Sequence, residues 1–144
     1  MKKTLIIAAA VLGLVSCSKE KKLEMRLDNQ EWNIDKYKFE LANNGVVDPG
    51  QVINAENVGT FKLDKGGTGT AQYNAGGNAR AFTITKWTTG IDSVKMELTD
   101  QSTQGKETWN ISVTKNEKKA QEWYRVVKQG NFEFRYTFTL SRKK

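Results

Sequence analysis

Between Asn131 and Arg142 the chain alternates with a period of two. Phe132, Phe134, Tyr136, Phe138 and Leu140 fall on one parity; Glu133, Arg135, Thr137, Thr139 and Ser141 fall on the other. A strand puts those five apolar side chains on one face and the polar ones on the opposite face. A helix would spread the same five around its circumference. One half-apolar strand cannot exist alone, because its greasy face must be buried against other elements of the same kind.

The chain supplies those elements. Trp109, Ile111 and Val113 alternate with Asn110, Ser112 and Thr114. Val94, Met96 and Leu98 alternate with Lys95, Glu97 and Thr99, and Phe82 and Ile84 with Thr83 and Thr85. Thr60–Leu63 and Thr70–Tyr73 flank Asp64-Lys65-Gly66-Gly67, a glycine turn that makes them a hairpin. Glu122–Lys128 reads as a further strand ending at Gln129-Gly130. Glu31–Leu41 reads as the first strand, and its apolar phase slips between Ile34 and Tyr37, which predicts a bulge or bend. Ala42–Val58 is the least regular stretch. It carries turn chemistry at Asn44-Gly45 and at Asp48-Pro49-Gly50, where the chain's one proline sits, with a short strand expected at Gln51–Asn54. Leu23–Leu27 can also be read as a short helix. The count is seven or eight strands in an all-β antiparallel meander. Its apolar faces must be buried by packing two sheets or by closing into a barrel, and closure also removes exposed edges.

The first residues do not belong to this pattern. Lys2 and Lys3 precede Leu5–Val15, which is apolar apart from Gly13, and then comes Leu14-Val15-Ser16-Cys17. A basic start, an apolar run of this length and small residues before a break form a secretory signal, and the run is too short to span a bilayer. The four residues resemble the lipobox of bacterial lipoproteins. That resemblance implies that residues 1–16 are cleaved and that Cys17, the only cysteine, is acylated and becomes the new N-terminus. Such maturation supplies two or three acyl chains, and a single chain would hold only marginally. Ser18–Lys22 is charged and poor in apolar residues, so 17–27 reads as a lipidated tether whose lysines can also touch anionic headgroups. Ser18 is not the aspartate that holds lipoproteins at the inner membrane of well-studied Gram-negative bacteria, so the expected address is the outer membrane, on either its periplasmic or its surface side.

Removing residues 1–16 leaves 128 residues, one domain that needs no staple, and the net charge falls from +7 to +5. The lysines are scattered among acidic residues, so nucleic acid is not an expected partner. The chain has no histidine, which removes Ser-His-Asp and Cys-His arrangements and the commonest metal ligand. With Cys17 committed to lipid, thiolate chemistry and cysteine metal sites go too. Most of the 16 acidic residues alternate outward beside lysines, and Gly66-Gly67-Thr68-Gly69-Thr70 lacks the Gly-Lys-Ser/Thr ending of a phosphate loop. The expectation is a protein without catalytic residues, metal or cofactor. Asp92-Ser93-Val94 is similar to a three-residue O-glycosylation acceptor of some envelope bacteria, which makes Ser93 a candidate for modification.

Trp32 opens the first strand, Gly59-Thr60-Phe61 leads to the glycine turn, a meander follows, and Leu140-Ser141-Arg142 ends the last strand. In this order the features of residues 28–144 resemble the lipocalin-like lipoproteins of Gram-negative bacteria, although Gln30 stands where lipocalins usually carry glycine. The resemblance implies a barrel in which Trp32 closes one end and Arg142 packs on its ring, a cation–π contact worth about 0.5–2 kcal/mol. It also implies a pocket for a small hydrophobic ligand, for which Trp87, Trp109, Trp123, Tyr124 and Tyr136 are the candidate lining residues. The competing expectation is that these aromatics simply fill the barrel, leaving the exposed surface to act as an envelope interaction module. A cavity above about 300 Å³ open at one end would favour the binder.

Overall fold

The computed structural model describes residues 18–144. The signal segment and Cys17 lie outside the described residues. The chain opens with a helix, α1, over residues 18–27, followed by eight strands: β1 (Gln30–Asn43), β2 (Val46–Leu63), β3 (Gly69–Ala75), β4 (Asn78–Gly90), β5 (Ser93–Asp100), β6 (Lys106–Asn116), β7 (Ala120–Gln129) and β8 (Phe132–Arg142). Each strand pairs antiparallel with the next, and β8 pairs with β1, so the meander closes into a barrel. Of the two expected solutions, stacked sheets or barrel, the chain adopts the barrel.

Bulges set which side chains face inward. The register of β1 shifts between Ile34 and Lys36 against both neighbours: Asp35 is the extra residue opposite β8, and on the other side it faces two residues of β2, Asn57 and Val58. The Ser141 hydroxyl donates to Asp35 Oδ1 at 2.9 Å and so occupies the gap. Before the bulge Trp32 and Ile34 point inward; after it Tyr37 and Phe39 do, while Lys36 and Lys38 stay in water. Without the bulge, strict alternation from Trp32 and Ile34 would turn the two lysines into the barrel. Similar shifts at Ile84/Lys86 and Val113/Lys115 leave Thr85 and Thr114 as extra residues, and each of these hydroxyls donates to a neighbouring-strand carbonyl.

The main departure from expectation is β2. The sequence reads as a loop with a short strand at 51–54, yet Val46–Leu63 is one long strand. Its first part pairs only with β1, because pairing with β3 begins at Gly59↔Tyr73. With solvent reaching both faces it carries no apolar alternation, so periodicity could not reveal it. Pro49 is tolerated where the β1–β2 register slips between Glu40 and Ala42 and where β3 does not reach. Asn44 and Gly45, both with positive φ, make the tight β1–β2 turn that the Asn-Gly pair predicts. At Gly59 the strands come so close that a Cβ would lie 1.9 Å from the Gln72 carbonyl oxygen. Gly59→Ala is therefore expected to cost about 2–3 kcal/mol through backbone displacement, read as a lowered urea midpoint with an unchanged m-value.

The barrel is packed for most of its length. Phe61 sits among Trp123 (ring centroids 5.1 Å apart), Phe138 (5.5 Å) and Trp109 (6.4 Å), and Trp109 also meets Phe82 at 5.3 Å. Below this aromatic layer, α1 plugs one end. Leu23 and Leu27, one turn apart, are fully buried in the core, and Arg26 donates to the Asn116 backbone carbonyl and, at 2.9 Å, to its Oδ1. The expected tether is thus helical through residues 18–27, because two leucines at i, i+4 give it one apolar stripe to bury.

Candidate functional site

Among the described residues, no element plugs the end opposite α1. There β7 pairs with β6 only from Ser112↔Tyr124 to Asn116↔Gln121, so Arg125–Gln129 pairs with β8 alone. The early part of β2 likewise leaves β3. The strands splay, and two adjoining cavities open above the aromatic layer. One, of about 290 Å³, is lined by Tyr37, Phe39, Ile53, Tyr73, Arg80 and Tyr136 among others. The other, of about 350 Å³, shares Tyr73, Arg80 and Tyr136 and adds Glu107, Trp109, Arg125 and Phe134. Trp109 and Phe138, stacked with centroids 6.1 Å apart, lie at the level of the floor.

The polar groups of this mouth are unevenly satisfied. Arg80 donates through Nε to Asp100 Oδ2 (3.0 Å) and through Nη2 to Glu107 Oε1 (2.8 Å), and its Nη2 also forms an ion pair with Asp100 Oδ2 at 2.8 Å. Burial alone would lower its pKa, and these carboxylate bonds raise it. Glu107 Oε2 accepts the Trp109 indole N–H at 2.8 Å. Arg125 stacks on the Trp109 ring (4.5 Å to its centroid) and the Tyr136 ring (5.2 Å), and burial pushes its pKa down. Burial also holds the three phenols protonated: Tyr73 is pushed up to about 12, and Tyr37 and Tyr136 are raised for the same leading reason. All three therefore stay neutral hydrogen-bonding groups at physiological pH.

Asp100 anchors the β5–β6 turn above Arg80. Its Oδ1 accepts the Ser102 hydroxyl (2.6 Å) and the amides of Ser102 (2.8 Å) and Thr103 (3.1 Å), and these bonds, with Arg80, hold its carboxyl far below the ordinary 3.8. A depressed carboxylate stabilises the fold above its unfolded pKa, and that contribution fades as pH falls below about 4. Asp100→Asn is expected to lower Tm at neutral pH and to flatten the decline of Tm between about pH 4 and pH 2, as measured by thermal denaturation across that window.

The aromatics expected to line a pocket divide between the two ends and the two faces. Tyr136 lines both cavities and Trp109 lines one. Trp123 is fully buried in the packed layer below. Tyr124, next to it on β7, takes the opposite parity and faces outward, half-buried, so it is not a cavity residue. Trp87 lies towards α1, where its indole donates to the Thr68 carbonyl at 3.0 Å and lines a cleft with Glu20, Glu24 and Asp28. Trp32 and Arg142 are register partners on β1 and β8. The guanidinium–ring contacts among the described residues are made instead by Arg80 on Phe82 and by Arg125. Ser93 opens β5 at the α1 end, half-buried and close over Gly90.

No family model, curated protein or solved structure matches the chain.

The residues that sequence reasoning passed over are Tyr37, Tyr73, Arg80, Glu107 and Arg125. A signal was present: Arg80 shares parity with Phe82 and Ile84, and Arg125 with Trp123 and Val127. A charged residue on the apolar parity of a strand marks an interior that is not wholly apolar.

Proposed function

We propose that this chain is a non-catalytic, lipocalin-like lipoprotein of the cell envelope, held at the outer membrane through acylated Cys17, and that its barrel mouth binds a small, largely apolar molecule. The observation that carries the reading is the division of the interior. Aromatics fill it up to Trp109 and Phe138, and above them lie cavities of about 290 and 350 Å³ walled by Tyr37, Phe39, Phe134 and Tyr136. Together they fall within the size range of small-molecule sites, which combine apolar walls with a few convergent polar groups. Affinity would come from burying ligand area at roughly 25 cal/mol per Å², less the costs of ordering.

A second reading, an envelope interaction module, draws on the rim of the mouth. Val46 and Phe132, both register partners of Asn43, are 73% and 44% exposed. Exposed apolar residues at one edge are a mark of protein contact.

Native mass spectrometry of soluble protein beginning at Ser18, purified from the cells that make it, separates the two. A small-molecule adduct, one per chain, is expected. A bare mass together with co-purification of another polypeptide would favour the module. For the anchor, Cys17→Ser is expected to move the protein from the membrane fraction to the soluble fraction, and unchanged partitioning would remove the lipoprotein reading.

A further inference from the structure

We infer that the molecule held in this mouth carries an anionic group and that Arg125 is the side chain that selects it. The inference rests on the mouth being a ligand site and adds the chemistry of the ligand's head.

Arg125 is placed inward by the alternation of β7, and its side chain is only 13% exposed. A guanidinium stays charged at any physiological pH and presents five N–H donors. Among the described residues this one makes no side-chain hydrogen bond. Its nearest carboxylate oxygen, Glu107 Oε2, is 3.8 Å away and already accepts the Trp109 indole at 2.8 Å; the other oxygen of Glu107 is taken by Arg80. Arg80, a few ångströms along the same wall, shows what a satisfied arginine looks like here, with two carboxylates at hydrogen-bond distance. The two ring faces under Arg125 fix its position but leave its donors unmatched. A buried cation held in place without hydrogen-bond acceptors is costly unless something else supplies them.

A carboxylate or sulfonate answers that requirement, since its paired oxygens can accept two parallel N–H donors from one guanidinium. The protonated phenols of Tyr73 and Tyr136, which line the same cavity, can add donors to the same group. The remaining wall, Phe39, Ile53 and Phe134, suits an aromatic or branched apolar body. The ligand class is therefore a compact amphipathic anion.

The test uses a matched pair of fluorescent probes, anilinonaphthalene sulfonate and its uncharged parent phenylnaphthylamine, which share a ring skeleton and differ in the sulfonate. Soluble protein from Ser18 onward is expected to bind the sulfonate about tenfold more tightly than the parent, with one site per chain. Arg125→Met is expected to weaken sulfonate binding about tenfold or more while changing parent binding less than about threefold, and Arg125→Lys to fall between. If Arg125→Met retains its circular dichroism and binds both probes like the wild type, the assignment of Arg125 is overturned and the cavity reading survives. If the wild-type protein binds neither probe, the mouth is not a ligand site and both readings fall. Should Arg125→Met not fold, Arg125→Lys decides: sulfonate affinity equal to the parent's overturns the inference, and retained preference that weakens with added salt supports it.

Discussion

Phe61→Ala is expected to remove about 3–5 kcal/mol of stability, a lowering of Tm by roughly 10–20 °C. Phe61 is fully buried, and its ring touches three others: Trp109, Trp123 and Phe138. Those three come from β6, β7 and β8, while Phe61 comes from β2, so one side chain ties together strands on opposite sides of the barrel. Truncating it removes the transfer energy of a benzyl group and leaves a void that four stiff strands cannot close. Since a domain of this size is stable by only about 5–15 kcal/mol, the loss is a large share of the total. Phe61→Leu should cost less, because it leaves the smaller hole. Urea denaturation followed by tryptophan fluorescence measures both, and a loss below about 1.5 kcal/mol for the alanine variant would mean that the aromatic layer is not built around this ring.

The same residues explain what could be read in advance. β8 was legible from Asn131–Arg142 because its inward parity is apolar throughout, packed in the core at Phe138 and Leu140 and walling the cavities at Phe134 and Tyr136, while its outward parity is polar. β4, β5 and β6 were legible for that reason, and the slip at Asp35 was visible because a bulge moves the apolar phase by one residue. The early part of β2 was not legible, since a strand that rises past the core has no buried face to pattern. The candidate site was hidden by a different cause. Cavity walls are the places where the interior is allowed to be polar, so Arg80 and Arg125 look like surface residues in composition and betray themselves only by parity. Trp123 and Tyr124 illustrate the limit: as neighbours on one strand they point to opposite faces, so only one of them could ever have entered the barrel.

Leu23→Ala with Leu27→Ala is expected to uncork the end of the barrel opposite the mouth. Each leucine is fully buried, and each truncation alone should cost about 2–4 kcal/mol. The two share one pocket, so the pair is expected to cost about 4–7 kcal/mol, not a strict sum. The hydrogen bonds of Arg26 to Asn116 are partly hydrated and cannot offset the loss. A helix this short has no independent stability in water, so once undocked it should melt. The readout is twofold: a reduced urea midpoint, and red-shifted tryptophan emission as Trp87, which shares a cleft with Glu20, Glu24 and Asp28, meets solvent. Unchanged emission with unchanged stability would show that the barrel closes without the helix. The outcome also bears on geometry in the cell. If α1 is an integral plug, the proposed lipid at Cys17 is joined to the barrel through a rigid element at its closed end, which turns the mouth with Arg125 away from the bilayer that anchors it. If the helix detaches freely, the mouth has no fixed orientation, and a ligand could be received from either side.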